Sequence, residues 1–252
     1  MDRHSFYTLM QGSSTSDYEQ YLNTDHLLKC QKPYDELCNN DELQFQITHQ
    51  VQELWMKLIA YTLLEIDEQL EKKQSLKALT LFNRVHRIQQ SMIDHLGLLE
   101  TMSPKDYQLI RLNLGNGSGQ ESPGFHVIIK MAKPLWLSFQ KHYLTQENTS
   151  INDIYNDKYQ HDEPYMLAEQ LAEFDELFQH FRYRHLQLIQ RTIGFGAKSL
   201  KGRSVSLLEK GLSMRFFPEL WEIRNQMTDD WGGQYGTTRH ALCKEHEEPK
   251  SL

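Results

Sequence analysis

The sequence predicts an all-α fold, a bundle of long antiparallel helices. Apolar residues recur at three- and four-residue spacing over long stretches, no stretch alternates like a strand, and helix start and stop signals bracket the repeats. Residues 1–15 carry no pattern, and Ser16 caps a helix over about 16–30 with Tyr18, Tyr21, Leu22, Leu27 and Leu28. A polar turn from Lys32-Pro33 to Asn40-Asp41 precedes a long helix that reaches about Lys72. Ile47, Val51, Leu54, Leu58 and Thr62 form one stripe of that helix; Phe45, Gln52, Met56, Ile59 and Leu63 form another on roughly the opposite side. A helix apolar on two sides is expected to lie buried between neighbours. His49 falls in the second stripe, one turn after Phe45.

A second long helix is expected over 77–101, with Phe82, Val85, Ile88, Met92, Leu96 and Leu99 on one face. Ser103-Pro104-Lys105-Asp106 supplies a capping hydroxyl, a proline at the first helical position and an acid in the first turn, and so starts another. Tyr107 and Arg111, four apart, share a face of it, and it runs out into the glycine-rich Gly115-Asn116-Gly117-Ser118-Gly119. Residues 124–144 are apolar and are expected to break at Pro134; 145–165 are polar and read as a long surface loop or a short irregular insertion. Leu167, Leu171, Phe174, Phe178, Phe181, His185, Leu188 and Thr192 then follow a regular three-four spacing that Gly194 closes. Two shorter amphipathic helices, 205–212 and 218–227, complete a single domain over 1–227, and 228–252 is expected to be a flexible tail.

Composition narrows the function. A net charge of −7 opposes a nucleic-acid surface, which needs concentrated Lys and Arg. No apolar run approaches the ~20 residues of a membrane span, and the first residues lack the apolar core of a secretory signal. Cys30, Cys38 and Cys243 are odd in number and without metal-ligand spacing, which suits a reducing cytoplasm.

His185 and His49 draw attention because each puts an imidazole on a face that should be dry, and a buried imidazole needs a partner. One reading makes each a hydrogen-bonded core residue; the other makes His185 a metal or haem ligand and His49 a site residue. Arg111 and Tyr107 read either as a surface pair or as a carboxylate clamp. The loop after them is either a helix stop or part of a pocket; it follows a helix and lacks a Gly-Lys-Ser/Thr ending, so it is no phosphate loop. The long helices contain no Glu-x-x-His, which weakens a di-iron reading. Two histidines on different helices, without a carboxylate cluster, suit haem better.

Several motifs, in order, resemble the tryptophan 2,3-dioxygenase family of haem-dependent aromatic oxygenases. They are Tyr18-x-x-Tyr21-Leu22 with Leu27-Leu28; Asp41-Glu42-Leu43-x-Phe45-x-x-x-His49-Gln50-x-x-Glu53-Leu54-Trp55-x-Lys57; Leu99-Glu100-Thr101-Met102-Ser103-Pro104-x-x-Tyr107-x-x-x-Arg111-x-x-Leu114-Gly115-x-x-Ser118-Gly119; Phe181-Arg182-Tyr183-Arg184-His185 with Arg191 and Ile193-Gly194; and Phe216-Phe217-Pro218-Glu219-Leu220-Trp221. Together they span about residues 16–227. The resemblance implies haem b with His185 as its axial ligand, dioxygen as co-substrate, and L-tryptophan or a related aromatic amino acid as substrate, opened at the indole C2–C3 bond to an N-formylkynurenine-type product. It implies that His49 hydrogen-bonds the indole N–H, Phe45 packs on the indole plane, Tyr107 and Arg111 hold the carboxylate, and Ser118 lines the distal pocket. It also implies a homotetramer or homodimer with exchanged N-terminal helices, in which Tyr18, Tyr21 and Leu22 close a neighbour's pocket.

The sequence departs from the family pattern in three places. The family's Gly-Thr-Gly-Gly-Ser-Ser-Gly loop aligns with Lys198-Ser199-Leu200-Lys201-Gly202-Arg203-Ser204, in which Ser199 keeps the hydroxyl but flanking glycines become Leu and Lys, losing backbone freedom. The stretch 145–165 is shorter than the family's insertion, and His126 stands where an Arg is usual. Three readings follow: a tryptophan-cleaving dioxygenase; a divergent haem oxygenase carrying out mono-oxygenation or another oxidation of a modified tryptophan or another aromatic amino acid in secondary metabolism; and a haem-binding sensor or scaffold without turnover. His240 and Cys243 in the tail form a lesser candidate for contact with the haem.

Overall fold

The computed structural model of the chain describes residues 2–12, 15–115, 117, 119–155, 160–196, 198 and 211–232. Their elements are α1 (Arg3–Leu9), α2 (Asp17–Leu22), α3 (Thr24–Leu27), α4 (Asp41–Glu71), α5 (Ser75–Leu99), α6 (Pro104–Asn113), a 3-10 turn (Gly119–Glu121), α7 (Pro123–Phe139) continuing into a π-helical turn (Gln140–Thr145), α8 (Ile151–Ile154), α9 (Glu163–Ile193) and α10 (Pro218–Gly232). The fold is all-α, as the periodicity predicts. The expected helix at 205–212 falls almost wholly outside the described residues, as does the tail beyond Gly232 with His240 and Cys243. α10 continues past Met227, where the sequence pattern gives out.

Three long helices make the frame. α4 packs along α5 on one side and α7 on another, and α5 packs along α9. The core between them holds Met56, Ile59, Leu63 and Leu70 of α4, Phe82 and Val85 of α5, Ile128 and Phe139 of α7, and Leu167, Phe174 and Phe178 of α9. Two buried glutamines stitch the layers: Gln52 of α4 donates to the carbonyl of Met92 on α5 (2.9 Å), and Gln89 of α5 to that of Phe174 on α9 (2.9 Å). Each bond satisfies a buried carboxamide donor that would otherwise cost about 1–3 kcal/mol.

Four expectations are corrected. Residues 1–15, patternless in sequence, carry α1, whose start Asp2 caps. The stretch 145–165 holds α8, which buries Ile154, and the first residues of α9 from Glu163. Pro134 does not break the apolar segment; it sits inside α7. An interior proline costs about 3 kcal/mol, but Leu135, Trp136 and Phe139 immediately after it are buried. At roughly 1.5–3 kcal/mol per buried large side chain, that packing outweighs the lost bond. The two-sided burial expected of α4 is also only half realised. Met56, Ile59 and Leu63 are in the core, whereas Ile47, Leu54 and Leu58 are 40–49% exposed, with no helix covering that side among the described residues.

A second, smaller apolar cluster lies around Leu96, Leu99, Met102, Ile110 and Leu188. Phe45, Tyr107 and Phe181 pack against it. It is here, where the ends of α4 and α5, the whole of α6 and the last third of α9 converge, that the candidate site is built.

Candidate active site

The first wall is the start of α4. Asn39 begins the helix, its side-chain oxygen accepting from the amides of Asp41 and Glu42 (3.0 Å each). Its side-chain amide donates to the carbonyl of Asp106 (2.9 Å) and so ties α4 to the first turn of α6. Glu42, 4% exposed, takes Lys32 on one oxygen (2.6 Å) and the amide of Cys38 on the other (2.7 Å). On the turn so fixed, the ring of Phe45 lies 4.1 Å from that of His49. His49 Nδ1 is 2.7 Å from the carbonyl of Phe45. A carbonyl only accepts, so Nδ1 carries the proton and Nε2 is left as an acceptor. Burial pushes the His49 pKa below its usual value, against the opposing pulls of the Phe45 carbonyl and the Glu53 charge. The ring is therefore a neutral acceptor at pH 7.

The second wall is α6. Ser103 caps it, accepting from the amide of Asp106 (3.0 Å), with Pro104 in the first turn. Tyr107 lies 6.3 Å from Phe45. Burial raises its phenol pKa and the Arg111 charge lowers it, burial prevailing, so the hydroxyl stays protonated. Arg111 is half-buried and makes no ion pair to a carboxylate among the described residues. Its guanidinium donates to Gln108 Oε1 (3.4 Å) and to the backbone carbonyl of Lys198. A guanidinium usually claims a carboxylate where one is in reach; among the described residues this one has only neutral acceptors.

The third wall is α9. His185 occupies a stripe position, its ring parallel to Phe181 (interplanar angle 5°, 6.3 Å between centroids). Burial pushes its pKa to about 4, and the nearby His49 imidazole adds to the depression. Neither ring nitrogen has a hydrogen-bond partner among the described residues. A Cβ built on Gly119 would lie 3.7 Å from His185 Cε1 and 3.9 Å from Nε2, so glycine keeps the space before that nitrogen free of a side chain. The helix is pinned around this point. Arg184 pairs with Glu100 at the end of α5 (2.8 Å). Arg182 lies over the rings of Phe178 (4.8 Å), Phe216 (5.4 Å) and Phe125 (5.7 Å) and donates to the carbonyls of Gly211 (2.9 Å) and Met214 (3.1 Å). Asp175, fully buried, accepts from the amides of Phe216 (2.9 Å) and Phe217 (3.3 Å) and from Trp221 Nε1 (2.9 Å), which fastens α10 onto α9.

The residues singled out in the sequence thus fall into three groups. Phe45, His49, Tyr107, Arg111 and His185 line the region where α4, α6 and α9 converge. Tyr18, Tyr21 and Leu22 do not reach it within one chain; they are 71%, 90% and 45% exposed on α2. Ser118 and Ser199 lie outside the described residues. The sequence motifs leave out Asp175, and they include Gly119, Arg182 and Glu53 without a role. The signal for Glu53 was present, since it stands one helical turn beyond His49 on the same face.

The model of the tryptophan 2,3-dioxygenase family matches residues 6–132 and 138–227. The chain belongs to the tryptophan 2,3-dioxygenase family. Relatives of that name agree over most of their lengths. The protein from Myxococcus xanthus is 28% identical over 270 residues, spanning 88% of this chain and 92% of its own. That from Serratia proteamaculans is 28% identical, with 85% and 94% covered. That from Saccharopolyspora erythraea is 29% identical, with 83% and 92% covered. This tryptophan 2,3-dioxygenase family member is an enzyme, a haem-dependent oxygenase with a tryptophan dioxygenase-type function.

The residues fit a haem. A neutral imidazole with a free nitrogen, on a pinned helix and facing a glycine, has the chemistry of an axial ligand. Among the described residues no group of three or more His, Cys, Asp or Glu could hold a metal ion unaided, and no helix is long and apolar enough to cross a membrane.

Proposed function

We propose that the chain holds haem b through His185 and opens the indole C2–C3 bond of L-tryptophan, or of a close derivative, with dioxygen. The observation that carries this reading is the pairing, across one apolar patch, of a guanidinium that holds no carboxylate among the described residues with a neutral imidazole acceptor. Arg111, with the Tyr107 hydroxyl beside it, suits the substrate carboxylate. His49 Nε2 suits the indole N–H, and Phe45 suits the indole plane. An α-amino acid with a flat, N–H-bearing ring satisfies all three.

When bound, the haem supplies dioxygen activation. The chain's own part is orientation and exclusion of water. Arg111 fixes one end of the substrate and His49 the other, so the ring is presented in a single pose. His49 can accept the indole proton's hydrogen bond because it is neutral and its Nδ1–H is already committed to Phe45. The packing of Phe45, Tyr107, Leu99 and Leu188 keeps the region dry, which strengthens each of these contacts.

The altered segment 198–204 favours a derivative as second reading. Its Leu200 and Lys201 replace glycines, and the carbonyl of Lys198 already engages Arg111. The exposed aromatic and apolar residues of α2, together with exposed Ile47, Leu54 and Leu58 on α4, support a homo-oligomer in which these surfaces are covered. An absorption spectrum of the purified protein, with and without L-tryptophan, tests the reading. A Soret band that shifts on addition of L-tryptophan is expected; a haem spectrum indifferent to it contradicts the assignment of substrate.

A further inference from the structure

The first turn of α7 is held by a residue of α4 that the roles above leave unused. Pro123 opens the helix and has no N–H. Phe125 donates to the Ser122 hydroxyl (3.1 Å). Gly124 donates to Glu53 Oε2 (3.0 Å). The contact is shaped for that carboxylate. A Cβ at Gly124 would fall 2.8 Å from Glu53 Oε2 and 2.7 Å from Met56 Cβ, inside any real contact, so only glycine lets α7 approach α4 this closely. The carboxylate also sits at the positive end of a helix dipole, where a negative charge is favoured. Glu53 lies one turn beyond His49, and Gly119, just before α7, is the residue that faces His185. The bond therefore joins the helix bearing one histidine to the short segment lying against the other.

We propose that Glu53 is a positioning residue for the reaction, its carboxylate setting the distance between the Gly119–Ser122 segment and the His49 face of α4 through the Gly124 amide. This rests on the functional reading above for its consequence, but not for its existence. Amide hydrogen exchange on the full-length protein reads the tether directly, without haem or substrate. In Glu53→Ala, the peptide spanning residues 119–126 exchanges on the order of five- to tenfold faster, the loss of one capping bond, while peptides of α5 are unchanged. Gly124→Ala, which displaces the carboxylate from the other side, gives the same signature. Glu53→Gln keeps a neutral acceptor and recovers most of the protection. With haem and L-tryptophan, KM rises about fivefold in Glu53→Ala with a smaller change in kcat, and Glu53→Gln restores it. Unchanged exchange in Glu53→Ala overturns the tether. Faster exchange with unaltered KM and kcat overturns the positioning role, as does a Glu53→Gln variant no better than Glu53→Ala. If the wild type failed to process L-tryptophan, the proposed function would fall while the exchange result stood by itself.

Discussion

The two walls that face each other across the candidate site are built differently. On α9, His185 is framed by bonds that leave little choice of position. Arg182 spans three rings and two carbonyls, Asp175 collects four donors, and Arg184 reaches Glu100. On α6, the Arg111 guanidinium donates, among the described residues, only to the Gln108 carboxamide and the Lys198 carbonyl. A group that must hold one fixed atom is over-determined by its surroundings, while a group that must exchange partners is held by weak, neutral ones. The contrast teaches which side is scaffold and which is binding surface. It also sets the order in which substitutions should hurt.

The largest effect is expected on the fixed wall. His185→Ala should abolish the Soret band of the haem-reconstituted protein and leave no measurable turnover; a variant that kept its Soret band would place the iron ligand elsewhere. Next comes the frame behind it. Asp175→Ala removes the acceptor of the Phe216 and Phe217 amides, Trp221 Nε1 and Gln179 Nε2 and should lower stability by about 3–5 kcal/mol, read from urea unfolding. A loss below about 1 kcal/mol would mean that α10 is not anchored there. On the uncommitted wall, Arg111→Leu should leave both haem content and unfolding midpoint close to wild type. It should lower kcat/KM for L-tryptophan on the order of 10- to 150-fold, the worth of one charge-assisted contact of ~1.5–3 kcal/mol. An equal loss of stability would dissolve the distinction between the walls.

The smallest effect lies away from the site and concerns pH. His86 is buried between α5 and α9, its Nε2 donating to the Gln170 carbonyl (3.1 Å). Burial lowers its pKa from 6.5 to about 4. Glu173 lies 3.4 Å from its Nδ1, but the contact is not an ion pair at neutral pH because the His86 ring is then uncharged. As pH falls, the unfolded chain takes the proton first. The stabilising effect of neutral His86 is complete above about pH 6.5 and is lost as pH drops toward 4, amounting to about 2 kcal/mol by pH 5. His86→Gln should flatten that part of the stability profile, measured by urea unfolding at pH 7 and pH 5. A profile as steep as wild type would assign the acid sensitivity to other groups.

Much of this was legible in the sequence, for physical reasons that differ by region. α9 reads clearly because one face of it is buried along its length, and His185 stands out as the polar interruption. α6 reads clearly because Ser103 and Pro104 mark its start. Pro134 misleads because local propensity cannot weigh the burial of Leu135, Trp136 and Phe139 that follows. Ile47, Leu54 and Leu58 mislead because apolar periodicity marks a face that seeks cover without saying whose. The roles of Asp175 and Arg182 stay hidden because most of their partners are distant in sequence: Phe216, Phe217 and Trp221 for Asp175, and Phe125, Gly211, Met214 and Phe216 for Arg182. Gly124 is invisible as well: its reason is the closeness of Met56 and Glu53 on another helix.

The central claim is the reaction at these walls, and the product decides it. The ferrous, haem-loaded protein is incubated with L-tryptophan under isotopically labelled dioxygen, and the product is weighed by mass spectrometry. Two oxygen atoms, both from dioxygen, added to an otherwise intact tryptophan skeleton is the predicted result. A product carrying one oxygen, or unchanged L-tryptophan in the presence of bound haem, would contradict it.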